Sequence, residues 1–331
     1  MQEPVIMAEL WRGALLESTH RGHAVVMHRD GDVIDSWGDP AKVIFPRSSC
    51  KMIQALPLVE SGAAAAAGLG PAQLALACAS HQGAPMHTDR ISAWLHGLGR
   101  SEADLRCGPQ PPSAAADRDA MRAAGGAPGQ LHNTCSGKHA GFVTLARHLD
   151  AGADYIDPDH PVQRAVRSAF EDMTGEASPG FGIDGCSAPN FATSIAGLAR
   201  AAARMTDFND GVRGRAAERL IAAMIAHPLL VAGEGRACSE LMSAMDGVAV
   251  KTGAEGVFIA IAPARGIGVA LKIEDGATRA SEAAMAAILV RLGLLDRSHR
   301  AAQRRLNAAQ PNRRGIDAAY LRATDFAGSA P

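Results

Sequence analysis

Residues 248–273 read VAVKTGAEGVFIAIAPARGIGVALKI. The stretch holds successive apolar runs rich in β-branched residues: Val248–Lys251, Gly256–Ala262 and Gly266–Ile273. Pro263-Ala264-Arg265-Gly266 forms a turn between the last two, so the pattern is an antiparallel meander. A helix follows over about Ser281–Leu292. Near the other end of the chain, His23–Met27 and Val33-Ile34 flank Asp30-Gly31, a strong hairpin signal, and Lys42–Phe45 is a further short strand. A helix starts near Ser48 and runs through the periodic Cys50–Ser61 segment. The Ala-rich middle gives helices over 71–79, 87–98, 138–149, 161–173, 191–205 and 211–226, broken by loops at Pro109–Pro112 and Gly125–Gly129. Strands at both ends therefore flank a helical middle. The predicted class is α/β (α+β). One antiparallel sheet is built from the N- and C-terminal strands, roughly 22–46 and 246–295, with flanking helices and a helical lobe over roughly 50–240.

The 331 residues carry 33 Lys+Arg against 34 Asp+Glu, so the formal net charge is 33 − 34 = −1. A balance so near zero argues against a broad nucleic-acid surface, which needs surplus positive charge. The most apolar stretch, Leu220–Val231, is short and broken by His227 and Pro228, so no membrane span is expected. The start, MQEPVIMAELWRG, carries Glu3 and Glu9 and lacks a basic segment before an apolar block. It does not read as a signal peptide, and a cytoplasmic address is expected. Cys50, Cys78, Cys107, Cys135, Cys186 and Cys238 are then expected to be thiols, metal ligands or nucleophiles rather than disulfides.

Ser48-Ser49-Cys50-Lys51 is an S-x-x-K motif. On a helix, positions i and i+3 share a face, so the Ser48 hydroxyl and Lys51 amine can meet. A serine hydroxyl is a weak nucleophile without a base, and a lysine acts as that base only once it has lost its proton. The alternative for this motif is a plain helix cap beside a solvated lysine. Lys251-Thr252-Gly253 is K-T-G at a strand end. Serine β-lactamases and penicillin-binding proteins pair S-x-x-K with K-T-G in this order. S-D-N is absent, and the nearest serine candidate between the motifs is Ser80, in Ala79-Ser80-His81. Cys135-Ser136-Gly137-Lys138-His139 and Cys186-Ser187-Ala188-Pro189 offer two thiolates and a nitrogen donor, Lys138 if neutral or His139, which suits Zn²⁺. Two buried cysteines with no ligand are the other reading of these loops.

Together these segments resemble the class 3, Rhizobium etli-type L-asparaginases, also called the asparaginase II or thermolabile family. The resemblance rests on Pro46–Lys51, Ala79–His81, Asn133–Gly141, Gly182–Asn190 and Lys251–Gly256. It implies a serine β-lactamase/glutaminase-like fold, a single catalytic unit over 1–331, a homodimer, and hydrolysis of L-asparagine to L-aspartate and ammonia. It also implies two Ser–Lys tandems, Ser48 with Lys51 and Ser80 with Lys251. The implied zinc ligands are Cys135, Lys138 and Cys186, with Asp184 holding a metal-bound water. Arg47, Asp184 and His139 are the expected substrate-binding residues. In this reading Ser48 attacks the amide carbonyl, Lys51 takes its proton, and Ser80 and Lys251 relay protons. Ser80 as nucleophile stays open. So do a penicillin-recognising or esterase-type serine hydrolase and a thiol-based amidohydrolase.

Overall fold

The apolar runs of residues 248–273 are strands buried on both faces. That is why they read as unbroken hydrophobic stretches and not as an alternation. A computed structural model of the protein describes residues 2–327. The chain forms two compact units. The first takes the chain up to Ser49, Thr193–Thr206 and everything from Glu240 onward; the second takes Cys50–Ala192 and Asp207–Ser239. Met1 and 328–331, the ends of the expected catalytic unit, lie outside the described residues.

The first unit contains an eight-stranded sheet. In chain order its strands are β1 (Val5–Arg12), β2 (Leu15–His28), β3 (Val33–Trp37), β4 (Ala249–Thr252), β5 (Val257–Ala262), β6 (Ile267–Ile273), β7 (Asn307–Pro311) and β8 (Asp317–Ala323). The spatial order is β7-β8-β1-β2-β6-β5-β4, with β3 on β2, and every pairing is antiparallel. The sheet is thus assembled from both ends of the chain. The Asp30-Gly31 turn joins β2 to β3 as its sequence demands, with Gly31 at φ 98°. The helices Thr278–Arg291 and Ile195–Arg204 pack on the sheet.

Helix Ile195–Arg204 lies unusually close to β6 at Gly268. A Cβ there would sit 2.1 Å from the Ala203 nitrogen and 2.6 Å from the Ala199 oxygen. These are backbone atoms and cannot swing aside. Gly268→Ala should therefore destabilise the protein by about 3 kcal/mol, read as a lowered urea midpoint at unchanged slope.

Several elements differ from the sequence reading. Val43-Ile44 is a strand, but it pairs with Thr193-Ser194 in a separate two-stranded sheet and not with the main sheet. The segment after Asp296, for which the sequence suggested no role, supplies a helix (Arg300–Leu306) and the strands β7 and β8, with β8 beside β1. Arg304 and Arg305 of that helix reach Glu240 at 2.6 and 2.9 Å. Ala319 and Leu321 are the buried residues of β8, an alternation legible in the sequence only once the partner β1 is known.

The second unit is helical. Helix Pro161–Thr174 shows how local chemistry sets its limits. Pro161 opens it, the His160 ring accepts from the Val162 N–H, and Gly175 at φ 67° ends it by donating to the Glu171 and Asp172 carbonyls. The helix expected over Cys50–Ser61 is broken instead. Arg47–Cys50 is 3₁₀, and Lys51–Gln54 and Leu56–Glu60 are separate α-helical turns, the second with Pro57 in its first turn. Among the described residues, no helix is long and apolar enough to cross a membrane.

Candidate active site

The second unit gathers Lys51, Ser80, Cys135, Lys138 and Cys186 from four separate segments. Lys51 begins the helix Lys51–Gln54 and is wholly buried. Its Nζ donates to Ser80 Oγ at 3.0 Å, lies 3.2 Å from Cys135 Sγ and makes a short contact with the Ala79 carbonyl. Ser80 stands in the turn after helix Pro71–Ala77, its N–H donating to the Val231 carbonyl at 2.8 Å. The hydroxyl that Lys51 meets here is thus 29 residues away in sequence.

Cys135 caps the helix Ser136–His148, and Lys138 lies in its first turn. Asn133 shapes the entry. Its side chain accepts from the Cys135 N–H at 2.9 Å and donates to the Cys107 and Gly108 carbonyls. Gly137 lets this helix approach helix Pro71–Ala77, because a Cβ would sit 2.3 Å from the Leu76 oxygen. Cys186 lies in the turn of the hairpin Phe181–Ile183/Pro189–Phe191. That turn is closed by Ser187 N–H donating to the Asp184 carbonyl at 2.8 Å. Ser187 sits at φ 71°, a left-handed conformation costly for a residue with a Cβ.

Lys138 Nζ is 3.2 Å from Cys186 Sγ. The Cys135 thiol donates to Cys186, which together with the Lys138 charge holds the Cys186 thiol well below its usual range. The same bond, then burial, pushes the Cys135 thiol up to about 12. Burial disfavours the Lys138 ammonium, but the negative charge of Cys186, with that of Asp184, outweighs it and holds that group above its ordinary range. The cluster is thus a buried thiolate–ammonium pair with a neutral thiol beside it. Burial raises the Cys50 and Cys107 thiols to about 12, which disqualifies both as nucleophiles at neutral pH. All six cysteines are buried and none is in a disulfide.

His139 is buried, and burial followed by the Lys138 charge keeps it neutral. The Tyr155 hydroxyl accepts from the Arg106 N–H and so donates to His139 Nδ1 at 2.9 Å. Nε2 then carries the ring proton and, among the described residues, has no partner. Tyr155 went unnoticed in the sequence, and Asn133 was read only as the start of the Asn133–Gly141 segment, with no role of its own. Asn133 had a detectable signal, an Asx turn just before a helix; Tyr155 had none.

The first unit holds Arg47, Ser48 and Lys251. Arg47 sits at φ 52°, a second left-handed residue beside a proposed reactive group. Ser48 follows it in the 3₁₀ turn Arg47–Cys50, half-buried. Lys251 is wholly buried on β4, its Nζ donating to the Thr252 carbonyl at 2.8 Å. Gly253 packs flat on the Pro46–Ser49 turn, where a Cβ would lie 2.7 Å from the Pro46 oxygen. The K-T-G turn and the start of the S-x-x-K motif are thus in contact. The half-buried Asp184 accepts from the Gly185 N–H and contributes charge at Lys138 and Cys186.

The family model for L-asparaginase II matches residues 8–323, nearly the whole chain. The chain belongs to the L-asparaginase II family. No curated protein matches it significantly. Among solved structures it is similar to Mglu in its native form, with 13% identity, a TM-score of 0.43, and cover of 85% of this chain and 66% of that one. It is also similar to a beta-lactamase from Mycobacterium bovis (13% identity, TM-score 0.36, cover 81% and 93%). A third is the octameric penicillin-binding protein homologue from Pyrococcus abyssi (11% identity, TM-score 0.39, cover 91% and 83%). This chain spans just under two thirds of the Mglu structure. Likeness at this level says nothing about chemistry.

For an L-asparaginase II chain the metal question turns on the donor set. Among the described residues, no three His, Cys, Asp or Glu side chains gather to hold an ion. A site here requires Lys138 as the nitrogen donor beside Cys135 and Cys186. Those three donor atoms do converge, and two sulfurs with one nitrogen suit Zn²⁺. The residues present therefore fit the metal, provided that Cys135 and Lys138 give up their protons.

Proposed function

We propose that the protein is an asparaginase-type amidohydrolase that converts L-asparagine to L-aspartate and ammonia, using a serine hydroxyl activated by a lysine amine. The observation that carries this reading is the buried Lys51 amine at 3.0 Å from the Ser80 hydroxyl. A lysine held there, out of water and against an alcohol, is arranged for proton exchange. In this reading the attack falls to Ser48, the serine of the S-x-x-K motif. Its oxygen bonds to the side-chain carbonyl carbon, and its proton passes to Lys51. The carbon–nitrogen bond breaks, and the proton returns to the leaving nitrogen, which departs as ammonia. Water then cleaves the β-aspartyl ester, restoring the serine. Ser80 shuttles protons to and from Lys51, and Lys251 supports the network. Arg47 is the partner for the substrate's α-carboxylate, and the unpartnered Nε2–H of His139 is a donor for the same molecule. Cys135, Lys138 and Cys186 would hold Zn²⁺, which when bound supplies a Lewis-acid anchor for the amino-acid end of the substrate. A homodimer belongs to the same proposal.

Ammonia release from L-asparagine, compared with L-glutamine, tests the reading. Ser48→Ala should lower kcat by about 10³-fold or more, and Ser80→Ala by about 10²-fold, with circular dichroism unchanged in both. Wild-type kcat in Ser48→Ala together with complete loss in Ser80→Ala would transfer the nucleophile to Ser80. The depressed Cys186 thiol supports a second reading, thiol catalysis. Inactivation of zinc-free enzyme by iodoacetamide, with turnover retained in Ser48→Ala, would establish it.

A further inference from the structure

We propose that His81 is a positioning residue, holding the Ser80 hydroxyl against Lys51 through a one-directional hydrogen-bond chain anchored on the helix that carries Cys135 and Lys138. The inference rests on the reading just given, since it concerns the same site. The direction of the chain follows from its donors. The Gly83 N–H donates to His81 Nδ1 at 3.1 Å, so that nitrogen is the acceptor and Nε2 bears the proton. Nε2 then donates to Ser136 Oγ at 2.9 Å, and the Ser136 hydroxyl donates onward to the Leu131 carbonyl at 2.8 Å. Every group in the chain is used once, and both His81 and Ser136 are wholly buried. Ser136 lies directly between Cys135 and the helix turn bearing Lys138, and His81 directly follows Ser80.

The backbone reinforces the link. The His81 N–H donates to the Thr134 carbonyl at 3.2 Å while the Ser80 N–H donates to Val231, so the Ser80 turn is pinned from two directions. Gly83, at φ 70°, is pressed so closely on His132 that a Cβ would sit 2.5 Å from its oxygen. The His87 ring stacks on His81 with centroids 4.8 Å apart and an interplanar angle of 12°, fixing the imidazole plane. A rigid ring with an acceptor on one side and a donor on the other spans from Gly83 to Ser136. An apolar residue in its place leaves the Gly83 N–H buried without its acceptor and takes from the Ser136 oxygen its ring donor.

The test uses Ser136→Ala, His81→Leu and His81→Gln in the zinc-supplemented full chain. Ser136→Ala removes one oxygen, so it decides the matter even if His81→Leu fails to fold. Ser136→Ala and His81→Leu should lower kcat by about 10²-fold with KM within about threefold, because the serine is misplaced and the substrate pocket is not. His81→Gln, which keeps a donor at the Nε2 position, should recover to within about fivefold of wild type. A crystal structure of Ser136→Ala should show Ser80 Oγ more than about 3.5 Å from Lys51 Nζ. Wild-type kcat in folded Ser136→Ala, or His81→Gln as impaired as His81→Leu, would overturn the assignment. If the wild-type protein releases no ammonia, the functional reading fails instead. The Ser80–Lys51 distance in Ser136→Ala then still decides the positioning claim, and an unchanged distance overturns it.

Discussion

Lys51→Met is expected to lower kcat for ammonia release by about 10³-fold or more, with the fold retained. Methionine nearly matches the buried volume of lysine and carries no donor or base, so packing around the wholly buried position survives. What is lost is the amine at 3.0 Å from Ser80 Oγ and 3.2 Å from Cys135 Sγ. Lys51→Arg should fail to rescue turnover, because a guanidinium keeps its charge at any working pH and cannot accept the serine proton. The measurement is steady-state ammonia release for wild type, Lys51→Met and Lys51→Arg, with thermal melts as the control on folding. Turnover by Lys51→Arg within tenfold of wild type would show that charge, and not proton acceptance, is the contribution of this residue.

The second large effect concerns Cys186. Cys186→Ala should abolish stoichiometric zinc retention and also destabilise the metal-free protein by about 3 kcal/mol. The second loss arises because Lys138 keeps its charge while its partner 3.2 Å away is gone. The pH dependence carries a sign. In the metal-free protein Cys186 is already deprotonated, whereas Cys135, raised to about 12, and Lys138 still hold protons at neutral pH. Zinc uptake must therefore expel about two protons, and apparent affinity should rise about a hundredfold per pH unit through the neutral range. The Cys186 shift is downward, so its contribution to metal-free stability is present above the ordinary thiol range and is lost as pH falls through its depressed folded value. Calorimetry in buffers of differing ionisation enthalpy counts the protons. An uptake that releases none would remove Cys135 and Lys138 from the ligand set.

The sheet was legible because β5 and β6 are apolar on both faces, and because Asp30-Gly31 fixes a hairpin by backbone conformation alone. The strand β1 escaped because its burial does not alternate, and Val5–Arg12 mixes Glu9 and Arg12 with apolar residues. β7 escaped for a related reason: it ends at Pro311 and lies at the sheet edge, where no buried face imposes a pattern. The chemically distinctive residue types of the site were visible as motifs. Their partners were not. Spacing in sequence ties Lys51 to Ser48, while contact with Ser80 and Cys135 depends on how the helices Pro71–Ala77 and Ser136–His148 pack at Gly137. His81 looked like a neighbour of a serine, and only its ring hydrogen bonds give it a role.

Ammonia release from L-asparagine by the purified wild-type protein, with and without added zinc, tests the central claim most directly. Ammonia and L-aspartate formed in equal amounts, and lost in Lys51→Met, is the predicted result. A folded protein that releases no ammonia from L-asparagine or L-glutamine in either condition would contradict it.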